Sequence, residues 1–465
     1  MATIRQTAEA PPPSGADQTC AERAAGPDHE IIEETIGRSV MRKATWRLIP
    51  IIAIGYGLAF MDRASVSFAA LRMNRDLDFS ATVYGFGAGL FFIGNAMSEV
   101  PSNLLLLRFG AKRVLAAIMF AWGLIATSMM LVRTPMEFYA LRLLLGMAEA
   151  GFYPGVLYYL TLWFPVRARA RAVSRFYIAL PLSSVVMGSL AGWLMGLDGR
   201  LGLSGWQWLF LVEGLPAVFF TVAILKMLPD HPAHASWLTA KERGWLDQQL
   251  SEDGARAHLG HEAGVLAALR SPKVWSIGLF FFFLGTACYG FTFSGPAMIQ
   301  KATGWSVSEV GWVIAILGLL GAAAMLLNGI HSDRSGERAM HCIVPCCVIA
   351  AGYLVASYTT QPWLVVPSLG ASFIASQALW GPALSVPMEF LAGRAAAAGI
   401  AAMNTIAIFS GFAGPYWMGV MKDASGNYNG GLRGLLVSAL VAAGIMFWLA
   451  RSLARRDSTP GARRP

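Results

Sequence analysis

Residues 47–70 read RLIPIIAIGYGLAFMDRASVSFAA. The run is long and apolar enough to cross a bilayer, which takes about 20 mostly apolar residues. It nevertheless carries an acid and a base side by side, Asp62 and Arg63. A charge at the centre of a membrane helix costs roughly 2.5–3.5 kcal/mol on insertion scales, so it faces a protein interior or a wet cavity rather than lipid. This stretch therefore predicts a membrane helix that lines a polar chamber.

Outward from it, the 465-residue chain is 55% hydrophobic and 14% charged, against roughly 25% charged in soluble domains. Twelve apolar runs stand out, at about 47–70, 82–107, 113–132, 137–164, 171–196, 207–228, 273–299, 308–331, 340–359, 363–388, 395–421 and 432–452. The expected fold is an all-α polytopic membrane protein of twelve transmembrane helices in two pseudo-symmetric six-helix bundles, residues 38–228 and 273–452. The connecting segment 229–272 is polar and contains WLTAKERGWLDQQL, an amphipathic surface-helix pattern. Residues 1–37 are rich in Pro and Ala and polar, without the apolar core of a cleavable signal, and are expected to be a disordered cytoplasmic tail. Residues 453–465 are expected to form a second cytoplasmic tail.

A local repeat supports the two halves. LRFGAKR at Leu107–Arg113 and GIHSDRSGER at Gly329–Arg338 place Arg108, Gly110 and Lys112 in register with Arg334, Gly336 and Arg338. An offset near half the chain length points to duplicated bundles. Glycine supplies a tight turn there, and the cations, Arg113 among them, are placed with the acid Asp333 to lock neighbouring helix ends.

The formal charge is +9, but the basic residues are scattered between spans and act as orientation signals rather than as a nucleic-acid surface. With both termini inside, 27 of the 36 Lys and Arg fall on inner segments and seven on outer turns, leaving Arg63 and Arg142 within spans. The positive-inside rule then places both termini in the cytoplasm, in a multi-pass protein of the inner (plasma) membrane. Cys288, Cys342, Cys346 and Cys347 lie in apolar runs and Cys20 in the tail, so buried thiols are expected rather than disulfides. His341 beside Cys342 resembles a metal pattern only superficially. No metal motif, phosphate loop or nucleophile–base spacing is present, so neither an enzyme nor a cofactor is expected.

The charges at membrane depth carry the chemistry. Arg142 and Glu149, in RLLLGMAEAGFYPG, are seven residues apart, almost two turns and about 10 Å along one helix face. Each must find partners on other helices, and Asp62 and Arg63 are candidates. Two interhelical ion pairs that fix packing are the structural alternative, but buried ion pairs are poor stabilisers. Intramembrane ionisable groups mark ion or substrate routes. Glu99 and Glu389 lie nearer span ends, where a carboxylate can cap a helix; Glu213, in LFLVEGLPA, is open to either reading. Tyr84, Tyr153, Tyr289, Gln377 and Asn404 are polar groups on apolar spans and are candidates for lining the same chamber.

The stretches MDRASVSFAALRMN, EVPSNLLLLRFGAKR, RLLLGMAEAGFYPGVLYYLTLWFP, GWQWLFLVEGLPA and AAAAGIAAMN followed by GFAGPYWMGVMKDASGNY resemble the anion:cation symporter family of the major facilitator superfamily, in its tartrate-transporter-like branch. The resemblance covers roughly residues 38–450. It implies a monomer that imports a small organic anion, a hydroxy dicarboxylate or sugar acid, together with protons. By the same resemblance Asp62 and Glu149 take the protons, Arg63 meets the substrate carboxylate, Arg142 pairs with or regulates Glu149, and Asn404 contacts substrate. An aromatic-acid permease of the same family is the alternative, and a drug/proton antiporter of the same fold is a further one. Two departures are visible. Leu107 stands where the family carries an acid, with Asp333 at the matching place in the second half. Phe60 and Met61 replace the more polar neighbours that galactonate symporters carry.

Overall fold

The computed structural model describes residues 27–177, 179–258, 270–389 and 393–457. Every long element is a helix, and among the described residues there is no strand. The first bundle comprises α1 (Pro27–Asp76), α2 (Ala81–Phe109), α3 (Ala111–Ser128), α4 (Pro135–Glu149), α5 (Phe152–Thr161), α6 (Val166–Tyr177), α7 (Ala179–Met195) and α8 (Gly205–Met227). The linker helix α9 (Ala240–His258) follows. The second bundle comprises α10 (Pro272–Thr303), α11 (Val307–Ser335), α12 (Met340–Tyr358), α13 (Pro362–Ala378), α14 (Trp380–Ser385), α15 (Gly393–Ile408), α16 (Ser410–Ser425) and α17 (Asn429–Asp457).

Local chemistry sets the helix ends. Ser80 Oγ accepts from Val83 N at 3.2 Å at the start of α2. Thr134 with Glu137, and Ser306 with Glu309, form capping boxes on α4 and α11. Gly110 (φ +82°) and Gly336 (φ +67°) end α2 and α11 with positive φ, Gly336 in the left-handed helical region and Gly110 with an extended ψ of 153°. The two glycines matched by the sequence repeat thus both take positive φ, at a cost that only glycine escapes, but in turns of different shape.

Among the described residues, ten stretches of helix are long and apolar enough to cross a membrane. The other two of the twelve spans, the fourth and the eleventh, are interrupted at Ala150–Gly151 and at Phe409. In the fourth, Gly151 sits against Ser102 of α2, and Pro154 lacks the N–H that would bond back to Ala150. The tenth span, the repeat partner of the fourth, is likewise interrupted, at Leu379. Large side chains such as Phe219, Leu327 and Trp193 stay exposed on the outside of the bundles, as a lipid-facing surface requires.

Residues 27–37, assigned above to the tail, belong to α1. The linker gives this stretch a surface to fold on. Trp245 of α9 packs against Gly37. Lys43 Nζ reaches both oxygens of Glu242 at 2.8 Å, and Ser39 Oγ donates to Glu242 at 2.8 Å. Trp237 stacks on Trp163 at 5.4 Å and lies under Arg47. At the other end α17 runs to Asp457, past the span end predicted at 452. Residues 1–26, with Cys20, and 458–465 lie outside the described residues, as do 259–269 of the linker.

Among the described residues the bundles meet mainly through α2 on α16, α7 on α11 and α1 on α10, with a smaller contact of α15 on α2. The tightest approaches lie at the end of the molecule away from α9. A methyl group at Gly85 would strike the backbone of Pro415, and one at Gly419 the backbone of Ala81. Gly188 and Gly311 face each other's backbone, so neither position has room for a side chain. Asp423 of α16 caps α2 of the other bundle, accepting from Ala81 N at 3.0 Å and Thr82 N at 2.7 Å.

A candidate anion and proton site between the bundles

Glycines bring α2 and α4 into contact and thereby bury Arg142. Gly146 lies on the carbonyl of Phe91, and Gly94 on that of Leu143. Arg142 is 1% exposed, and its Nη2 donates to Ala88 O at a long 3.4 Å. Among the described residues it makes no ion pair within 4 Å. Its ring neighbour is Phe91, whose centroid lies 5.0 Å from the guanidinium.

Arg63 completes the group. Its Nη2 donates to Glu149 Oε1 at 2.5 Å, from an arginine side chain 25% exposed to a glutamate 2% exposed. The guanidinium also lies 5.3 Å from the rings of both Phe60 and Phe91. Phe91 is thus shared by the two arginines, a role that sequence reasoning missed. Phe60, one of the departures from the family pattern, supplies a second apolar wall beside Arg63.

Glu149 is the last residue of α4. A helix C-terminus carries partial negative charge, so a carboxylate there is unfavourable unless a cation adjoins it. Arg63 is that cation, and the break at Ala150–Gly151 is what puts the carboxylate at a helix end. Arg142, expected to serve Glu149 from the same helix, has Asp62 as the acid acting on it most strongly. The separation of nearly two turns explains the exchange. Asp62 is 3% exposed, with Trp122 of α3 as a neighbour, and its Oδ2 makes no hydrogen bond to protein.

Glu213 of α8, open to either reading in the sequence, is 5% exposed and neither of its oxygens is hydrogen-bonded to protein. Asp62 is the charged group that acts on it. The first bundle therefore contains three buried acids and two arginines. The remaining candidates divide. Tyr289 comes from the second bundle, its ring 4.7 Å from Phe92 and within electrostatic reach of Arg63. Tyr84 donates its hydroxyl to Phe293 O at 2.9 Å across the bundle interface. Tyr153 shares a 2.5 Å hydrogen bond with Tyr177 and stacks on Tyr56. Gln377 packs against Gly321 of α11. Asn404 donates to Glu99 at 3.1 Å, joining α15 to α2. The side chain of Glu389 lies outside the described residues.

The turn motif is equally legible. Arg338 pairs with Asp333 at 2.5 Å and donates to Ser332 Oγ at 3.3 Å. In the first half Leu107 is 69% exposed where Asp333 has its counterpart, and Arg108 lies over Phe109 instead. Arg334 is a basic residue in the last turn of α11, Lys112 and Arg113 open α3, and Gly329 has open space around it. His341 turns to Glu337 and His331 rather than to the neighbouring thiols.

Interrupted helices, a repeat of six spans and buried charges between two bundles are the parts of a secondary transporter. A family model of the Major Facilitator Superfamily matches residues 52–415. The chain belongs to the major facilitator superfamily. It is 41% identical over 423 residues to a "Putative tartrate transporter" of Agrobacterium vitis, covering 91% of this chain and 94% of that one. It is 41% identical to the "Putative metabolite transport protein NicT" of Pseudomonas putida, over 85% of this chain and 91% of that one. It is 37% identical to a "Quinolone resistance transporter" of Acinetobacter baumannii, with the same shares covered. Among solved structures, an inward-facing bacterial homolog of the lysosomal transporter Spinster shares the fold at a TM-score of 0.73 and 18% identity, covering 90% of this chain and 99% of that one. The chain is therefore a multi-pass superfamily transporter with a small-molecule substrate.

Proposed function

We propose that this superfamily member is a proton-coupled symporter of the anion:cation type, importing a small organic anion, a tartrate-like hydroxy dicarboxylate or sugar acid, across the inner membrane. The observation that carries the reading is the Arg63–Glu149 pair, beside Tyr289 of the opposite bundle and with Arg142 and Asp62 behind it. Arg63 is the partly exposed member and presents a fixed positive charge to the space between the bundles. A substrate carboxylate that takes Arg63 removes the counter-cation from Glu149. A buried carboxylate without a partner favours its neutral form, so Glu149 then takes a proton. The loaded carrier is close to neutral, and the bundles can rock about it. Asp62 and Arg142 form the second acid–base couple and hold a further proton site. An inside-negative potential contributes about 2.3 kcal/mol per charge per 100 mV when protons outnumber anionic charges. The names of the relatives from Agrobacterium vitis support the substrate class.

The reading takes the α9 end as cytoplasmic and the chain as a monomer. The structure then corresponds to a carrier closed at its outer end. The test uses purified protein in proteoliposomes under an imposed proton gradient, with tartrate, galactonate, phthalate and 4-hydroxyphenylacetate as substrates. Accumulation of tartrate or galactonate that an uncoupler abolishes is expected; preference for the aromatic acids would move the reading to that class. Export of a quinolone is the second reading, favoured by one relative's name. Gradient-driven efflux of norfloxacin without uptake of any of the four acids would establish it.

A further inference from the structure

The outer end of the molecule holds a cleft of about 680 Å³ between the bundles. Its walls come from α1, α2, α10, α11, α16 and the turn before α17. Four cations line it, Arg72, Arg75, Lys301 and Lys422, and no acid does. These are four of the seven basic residues on the outer turns. In a protein whose orientation rule keeps cations on the other side, so dense a group is unexpected.

Three neighbouring acids already have partners. Asp198 pairs with Arg72 at 2.6 Å. Asp423 caps α2, and Glu309 turns onto Ser306 N at 2.8 Å. Lys422 and Lys301 both lie over the ring of Tyr428, at 4.9 and 5.9 Å, a contact that holds two ammonium groups on one side of the cleft. Arg75 makes no ion pair among the described residues. Asn74 also lines the cleft, and its buried Oδ1 lacks a hydrogen-bond partner.

The floor matters as much as the walls. Tyr84 and Phe293 line the cleft, and the Tyr84 hydroxyl donates to Phe293 O at 2.9 Å. Beneath them Phe92 touches Phe293 and Tyr289, and Tyr289 faces Arg63. One seal of aromatic residues thus separates the cationic cleft from the central site.

We propose that this cleft is a second, outer binding site for carboxylate anions, an antechamber that collects the substrate from outside before the Tyr84–Phe293 seal opens toward Arg63. The proposal rests on the anion-import reading above. Cations in a cleft with low-dielectric walls raise the local concentration of an anion tenfold or more. The site holds a carboxylate by Arg75, Lys301 and Lys422, with Arg72 already shared with Asp198, so its affinity is weak and salt-sensitive.

The experiment combines uptake and binding on full-length protein. In right-side-out proteoliposomes, Arg75→Gln with Lys422→Gln is expected to raise the external KM for tartrate about five- to tenfold, with Vmax within about twofold and the internal KM for efflux unchanged. Titration of L-tartrate into protein in nanodiscs at low ionic strength supplies the second readout. Arg63→Ala is expected to retain a weak site that Arg75→Gln and Lys422→Gln remove and that Arg75→Lys and Lys422→Arg keep. An unchanged external KM in the double variant overturns the antechamber, as does complete loss of tartrate binding in Arg63→Ala; both leave the central reading standing. Wild-type protein that binds tartrate weakly and transports none of the acids overturns the central reading instead.

Discussion

Arg63 on α1 holds Glu149 at the end of α4, and the bond joins a partly exposed cation to a carboxylate almost wholly buried. The asymmetry gives each partner a separate role. Replacing Arg63 by Ala removes the group that meets substrate and leaves an uncompensated acid at a helix C-terminus. Replacing Glu149 by Gln leaves Arg63 free to hold an anion but removes the proton carrier. We expect Arg63→Ala to lose tartrate binding at the central site, and Glu149→Gln to bind and exchange tartrate while failing to accumulate it against a gradient. Counterflow and gradient-driven uptake in the same proteoliposomes distinguish the two; gradient-driven accumulation at the wild-type level by Glu149→Gln would remove Glu149 from coupling.

Glu213 lies behind Asp62 with no hydrogen-bond partner on either oxygen. A buried charge without a partner costs several kcal/mol, so an amide of the same shape relieves the folded state of that liability. Glu213→Gln is expected to leave the melting temperature unchanged or raise it by a few degrees. If Glu213 shares protons with Asp62, the same variant loses proton-driven uptake by tenfold or more while counterflow is retained. A large fall in melting temperature would instead make Glu213 a structural group.

Much of this was legible from residue types alone. The apolar run at 47–70 announces a span, and its Asp62 and Arg63 announce an interior, because both follow from the cost of charge in lipid. The paired turn motifs announce the repeat, and Gly110 and Gly336 both take positive φ at their helix ends, although in turns of different shape. Which acid serves which base was not legible. Arg142 and Glu149 share a helix face, but the partners are chosen by where the break at Gly151 and the contacts of Gly94 and Gly146 set α4 against α1 and α2. The reach of α1 back to residue 27 was missed for a similar reason. Its start is polar in sequence, and the surface it packs on from Gly37 to Lys43 comes from Trp245 and Glu242 of α9, remote in the chain.

Gly188 and Gly311 meet backbone to backbone where α7 crosses α11. Closure of the outer end requires that contact, whereas an outward-open carrier would not make it. A leucine at either position therefore favours the open form. We expect Gly188→Leu to fold, to bind tartrate from outside, and to transport below a tenth of the wild-type rate, because the closed form is penalised by at least the ~1–3 kcal/mol of an overpacked contact. Labelling of a cysteine introduced at Ala81 by a membrane-impermeant maleimide checks this. Labelling should rise severalfold over the Ala81→Cys protein with the native glycine; no rise would mean that the α7–α11 contact does not govern the outer gate.

The linker helix depends on Glu242. Burial pushes its carboxyl up, but the Lys43 ammonium, together with Thr239 and Ser39, pulls it down to about 2. A group whose folded value lies below its unfolded one stabilises the fold fully above the unfolded value of 4.5 and loses that contribution as pH falls through about 2. Docking of α9 on α1 should therefore survive acidification to about pH 4 and weaken only below it, so proton coupling near neutral pH does not run through this contact. Glu242→Ala removes three partners at once, leaves Lys43 without its carboxylate and keeps the contact between Trp245 and Gly37. We expect this variant to be cleaved within residues 229–272 several times faster by trypsin at pH 7, with the two bundles left intact. Cleavage at the wild-type rate would show that the tryptophan contacts alone hold the linker helix to the first bundle.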